Sequence, residues 1–73
     1  MNTLTQTITV NSTAIKSAQY ITEENRLRLS FKNNHEYDYF NVPLHLFNGL
    51  VAVASKGQYI NKYIIGEFKF KKY

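Results

Sequence analysis

The stretch RLRLSFKNNHEYDYFNVP, Arg26 to Pro43, decides how this chain folds, because two short alternating segments meet there across a polar turn and then run into a proline. Arg26 to Lys32 alternates without error: Leu27, Leu29 and Phe31 take one face of a strand, and Arg26, Arg28 and Lys32 the other. Asn33 and Asn34 suit a turn, since asparagine tolerates a left-handed backbone better than most side chains. The next strand spans His35 to Phe40, and the length of the loop fixes which of its residues join Leu27 and Leu29. A two-residue loop would pair Phe31 with Glu36 and Leu29 with Asp38, and so bury two carboxylates. A three-residue loop is a type I turn over Lys32 and Asn33 with Asn34 as the left-handed bulge residue. It pairs Phe31 with His35, Leu29 with Tyr37 and Arg28 with Asp38. An unpaired buried carboxylate costs several kcal/mol, whereas an exposed Arg–Asp pair across strands contributes about 0.2–1 kcal/mol. The three-residue loop is therefore expected, with Tyr37 and Tyr39 turned inward and Glu36 and Asp38 left to solvent.

Upstream, Glu23-Glu24-Asn25 forms a polar turn, and Thr13 to Ile21 a strand whose phase changes near Lys16 to Ala18, as a bulge would cause. Leu4 to Val10 alternates Leu4, Ile8 and Val10 with threonines, which suits an extended edge strand or a frayed arm. Downstream, Val42-Pro43 ends the central strand, with proline at a first helical position. Phe47, Leu50, Val51 and Ala54 keep helical spacing over Leu44 to Ala54, and Gly49 is a point where another element can approach closely. Ser55-Lys56-Gly57-Gln58 has the Ser-x-x-Gln form of a capping box, so a second helix starts at an angle to the first. It carries Tyr59, Ile60, Tyr63 and Ile64 on one stripe, runs to about Ile65, and Gly66 stops it. Phe68 and Phe70 alternate with Lys69 and Lys71 in a short terminal strand or arm.

The reading is an α+β domain: an antiparallel three- to four-stranded meander packed against a short bent helical pair. Residues 1–9 form an N-terminal arm or edge strand, and 10–73 a single domain. The expected core is Ile15, Tyr20, Leu27, Leu29, Phe31, Tyr37, Tyr39, Phe47, Leu50, Val51, Ala54, Ile60, Tyr63, Ile64 and Phe68.

Seventy-three residues allow one small core. The absence of cysteine removes disulfides, thiolate metal sites and thiol nucleophiles, in keeping with a reducing compartment. The start MNTLTQT lacks the basic and apolar segments of a signal peptide, and no apolar run reaches membrane-spanning length, so a cytoplasmic protein without a membrane partner is expected. His35 and His45 are too few for a metal centre. Glu36 and Asp38 on one strand face read as charges paired with Arg28 rather than an acid/base couple. No phosphate loop, serine elbow or His-Glu-x-x-His pattern is present. Neither an enzyme, a cofactor nor a small-molecule substrate is expected.

What remains is binding. The leading reading is a protein-interaction module, paired with another protein or with itself through an exposed edge: the Thr-rich N-terminal strand or Phe68-Lys69-Phe70. The alternative is RNA or single-stranded nucleic acid, which a net charge of +4 permits. Its candidate contacts are Arg26, Arg28 and Lys32 on the strand face and Lys69, Lys71 and Lys72 near the C-terminus, with Phe40 or Tyr73 available for stacking. Glu36 and Asp38 intrude on the first of these surfaces.

From Val10 to Phe70 the chain resembles the KTSC domain, a small module named for its occurrence at the C-terminus of some lysyl-tRNA synthetases and also found as a free-standing bacterial or phage protein. The resemblance rests on Ser12-Thr13-Ala14-Ile15, Tyr20, Leu27-x-Leu29-x-Phe31, Tyr37-x-Tyr39, Val42-Pro43, Ala54-Ser55-x-Gly57, Tyr59, Asn61 and Ile64. It implies a mainly structural role for Tyr37, Tyr39, Val42, Pro43, Ser55, Gly57, Tyr59 and Asn61, and the synthetase context suggests RNA binding. Three positions depart from the usual pattern: Asn34 stands for a common glycine, Ile60 for a phenylalanine and Ile65 for an arginine.

Overall fold

The computed structural model describes residues 5–10 and 12–72. Its strands are β1 (Thr5–Thr9), β2 (Ile15–Ile21), β3 (Arg26–Phe31), β4 (Glu36–Tyr39) and β5 (Phe70–Lys72), and its helices α1 (Leu44–Ala52) and α2 (Lys56–Tyr63). All five strands join one antiparallel sheet in chain order, so the α+β expectation stands with one strand more than the meander foresaw. Both helices lie in the connection from β4 to β5.

The central register is the one that the carboxylate argument selects. Leu27 faces Tyr39, Arg28 faces Asp38 and Leu29 faces Tyr37. The Phe31 amide donates to the His35 carbonyl at 2.9 Å, and the Asn34 amide closes the turn on the Phe31 carbonyl at 3.0 Å. Asn34 takes φ 69°, the left-handed residue of a three-residue loop. In β2 the register shifts between Ile15 and Ser17, which places the expected bulge at Lys16. A 3-10 turn over Thr22–Glu24 joins β2 to β3, and Asn25 ends it in the left-handed region at φ 50°.

The helices cover the face that carries Ala18, Tyr20, Leu27, Leu29 and Tyr39, and supply Phe47, Leu50 and Ile60 to one cluster that Ile64, at the end of α2, completes. The Phe47 ring stacks on Tyr20 at 5.1 Å. Val10, Ala18 and Val42 are also fully enclosed, three small side chains that the expected core omitted.

Three helical details differ from expectation. Pro43, with ψ 147°, caps α1 from outside instead of occupying its first turn. Val53 is extended at ψ 152°, so α1 stops before Ala54 can join the stripe; Ala54 is exposed, and Val51 and Tyr63 are 44% and 41% exposed instead of core. Ser55 does occupy the cap position of α2, yet its hydroxyl makes no capping bond. The ends are satisfied otherwise: the Tyr59 amide donates to the Ser55 carbonyl at 3.1 Å, and Lys56 Nζ donates to the Val53 carbonyl at 2.8 Å. Gly66 turns the chain toward β5 at φ 87°.

Candidate binding surface

The face of the sheet away from the helices has no second layer, and its centre is Asp38. Alternation along β4 puts Asp38 and Glu36 on this face, opposite Tyr37 and Tyr39. Glu36 is exposed as expected, but Asp38 is fully buried, which corrects the expectation that both acids are left to solvent. The cause is lateral crowding. Arg28 faces Asp38 from β3 and holds it with a two-pronged fork, Nε to Oδ1 at 2.7 Å and Nη2 to Oδ2 at 3.1 Å. Arg26 adds Nη1 to Oδ2 at 3.1 Å and grips Glu24 with its other terminal nitrogen. From the other side Lys71 of β5 is the register partner of Asp38. A buried carboxylate is tolerable only when paired and hydrogen-bonded in this way.

This network separates the cations proposed for phosphate contact. Arg26 and Arg28 are committed to Asp38 and Glu24, two positive groups against two negative ones. Lys32 is exposed on the β3–β4 turn, where its backbone amide donates to the Ala14 carbonyl at 2.8 Å. Lys69, Lys71 and Lys72 are exposed on or beside β5. Phe40 is half-buried and its amide donates to the Lys69 carbonyl at 2.9 Å. Tyr73 lies outside the described residues, as does Leu4.

On the helix side, the β4–β5 corner extends past the lid. Phe70 faces Tyr39, and Lys72 faces Tyr37. The ring centres of Phe70 lie 5.5 Å from both Tyr37 and Tyr39, Phe31 continues the row at 5.3 Å from Tyr37, and Lys72 Nζ sits 5.9 Å from the Tyr37 ring centre. Tyr39 is buried and Tyr37 half-buried, while Phe70 is 56% exposed. Burial pushes the Tyr39 hydroxyl above its ordinary pKa, with a further rise from the neighbouring Tyr37. This row is absent from the expectations drawn from the sequence. Its only signal was the phase of Phe70 and Lys72, which counts once β5 is known to pair with β4.

Several of the motif residues make contacts that join the layers. The Tyr20 hydroxyl donates to the Val42 carbonyl at 2.7 Å, and the Val42 amide donates to the Asn25 carbonyl at 2.8 Å, so Val42 ties the helical layer to the β2–β3 turn. Tyr59 crosses α1 at Gly49 and donates its hydroxyl to the Leu46 carbonyl at 2.9 Å; a Cβ on Gly49 would collide with that hydroxyl. A Cβ on Gly57 would come within 2.8 Å of Ser12 Oγ, so glycine lets α2 lie against the start of β2's approach. Burial raises the pKa of Tyr20 and of Tyr59, the latter also through Tyr63. Asn61 is exposed on α2, and nothing in the structure explains it.

A shallow polar depression of 130 Å³ lies at the bulge, lined by Lys16, Ser17, Ser30, Phe31, Asn34, His35 and Glu36. Among the described residues no group of three or more His, Asp or Glu gathers to hold a metal, and no helix is long and apolar enough to cross a membrane.

The KTSC domain model matches residues 11–68. The chain belongs to the KTSC family. A KTSC domain protein from Yersinia pestis superposes with a TM-score of 0.86 at 27% identity, over 96% of this chain and 99% of that one. A lysine–tRNA ligase of a Nostoc species is 40% identical over 58 residues, 80% of this chain. This chain spans about one tenth of that ligase's length, so the KTSC domain also occurs within a far larger enzyme. A protein of Tsukamurella paurometabola is 35% identical over 60 residues and is matched over 90% of its own length, so a KTSC domain also makes up nearly all of a small protein.

Proposed function

We propose that this chain is a non-catalytic binding module whose partner is a β-strand, that of a second copy of the chain, added along the open side of β1. One observation carries the reading: Thr5 to Thr9 is an edge strand of five residues without a charge, a proline or a bulge. The far side of such a strand offers unpaired amides and carbonyls, and proteins ordinarily blunt these edges with lysine, proline or a twist. A self-pair is supported by the pattern itself. Centred on Thr7, two antiparallel β1 strands would set Thr5, Thr7 and Thr9 against their counterparts on the outer face, with Ile8 on the inner face beside the core. The contact is short, so the expected dimer is weak and depends on concentration.

Amide hydrogen exchange tests the proposal. The β1 amides that do not bond to β2 should become protected as protein concentration rises from micromolar to millimolar, and protection that ignores concentration contradicts it.

A further inference from the structure

The opposite rim carries a surface of another kind, independent of β1. We propose that the aromatic corner of β4 and β5 binds unpaired bases of a single-stranded nucleic acid, with Phe70 as the stacking ring, Tyr37 beneath it and Lys69 and Lys72 on the phosphates. Phe70 is the most exposed large apolar side chain among the described residues. It sits at the open end of the row Phe31, Tyr37, Phe70, where it is tilted 44° to Tyr37 and so does not close the stack. A planar guest therefore meets an aromatic surface, not an isolated ring.

The charges around the corner select the guest. Lys72 projects on the same face as Phe70, Lys69 and Lys71 flank it on the other, and Lys72 Nζ lies near the Tyr37 ring. Alternation sends Glu36 and Asp38 to the far side, so β4 turns no carboxylate toward the rings. A protein partner fits poorly, since lysine is depleted where protein interfaces close over aromatic residues. A nucleic acid supplies both complements at once, flat bases for the rings and phosphates for the lysines, and only unpaired bases can reach the rings. Arg26 and Arg28 are outside this site: they hold Asp38 on the opposite face.

Fluorescence anisotropy with a labelled mixed-sequence strand of about 12 nucleotides tests the proposal at low salt. The wild-type chain should bind the strand more tightly than its duplex or poly-glutamate. Phe70→Ala should weaken binding about tenfold, and Phe70→Leu, which keeps an apolar residue on an exposed strand position, should weaken it in the same direction with an unchanged circular dichroism spectrum. Lys69→Gln with Lys72→Gln should reduce the slope of log affinity against log salt by about 1.4. Tyrosine emission, unmixed with tryptophan because the chain has none, should fall on binding. The proposal is overturned by no binding at low salt, by equal affinity for duplex or poly-glutamate, or by Phe70→Leu binding like wild type.

Discussion

β1 and β5 are the two rims of one sheet, each paired on a single side, and they are built on opposite plans. β5 is three residues long, carries Lys71 and Lys72 after Lys69, and leans on neighbours: Asp38 across the outer face and the Tyr37 and Tyr39 rings across the inner one. β1 is longer, uncharged and threonine-rich, and only Ile8 among its side chains packs against the core. Charge keeps a strand edge from pairing indiscriminately. On the two proposals above, the lysine rim would refuse strands and take anions, and the threonine rim would take strands. If both proposals hold, one small sheet carries two binding edges that do not compete.

Removing what anchors the lysine side should have the largest effect. Asp38→Ala leaves Arg26 and Arg28 facing each other without their shared carboxylate. Breaking a buried pair costs about 3–5 kcal/mol, and because the arginines stay 22% and 32% exposed, about 2–3 kcal/mol is expected. Urea denaturation measures it; a loss below about 0.5 kcal/mol, the size of an ordinary surface change, would make the network dispensable. The same experiment on the threonine side should give less. Ile8→Ala removes a partly buried side chain and should cost about 1 kcal/mol. If Ile8→Ala proves the more damaging of the two, the contrast between the rims is reversed.

Alkaline pH acts between the rims, on Tyr20 and Tyr39 in β2 and β4. Their pKa values are raised in the folded state by burial, so the folded chain holds its phenolic protons when the unfolded chain has begun to lose them. Their contribution is complete below the ordinary value of 10.0 and is lost as pH climbs through that value and the raised ones. Urea midpoints should therefore fall above pH 10, and Tyr20→Phe, while forfeiting the bond to the Val42 carbonyl, should fall less steeply. Equal slopes would remove Tyr20 as a cause. The smallest stability change belongs to Thr7→Lys, exposed on β1, at under about 0.5 kcal/mol.

The core of the fold was legible where one physical penalty outweighed its alternative. The prospect of two buried carboxylates settled the β3–β4 register, and with it the inward Tyr37 and Tyr39. Alternation could name the face of Asp38 but not its burial, because that depends on Arg26 and Arg28 converging across the strand. Helical periodicity likewise promoted Val51 and Ala54, since spacing carries no record of the extended Val53 that breaks the helix. The aromatic corner was hidden for a topological reason: Phe70 and Tyr37 are far apart in the chain and meet only because two helices return β5 to the edge of β4.

Whether β1 is an open pairing edge is decided by sedimentation equilibrium of the chain beside Thr7→Lys. The wild type should shift with concentration from 8.5 kDa toward twice that mass, and more readily in salt, which screens repulsion between copies of charge +4. Thr7→Lys, which sets two lysines opposite each other across the pair, should stay at 8.5 kDa throughout. A wild type that remains monomeric at millimolar concentration, or a dimer that Thr7→Lys leaves intact, would contradict the account.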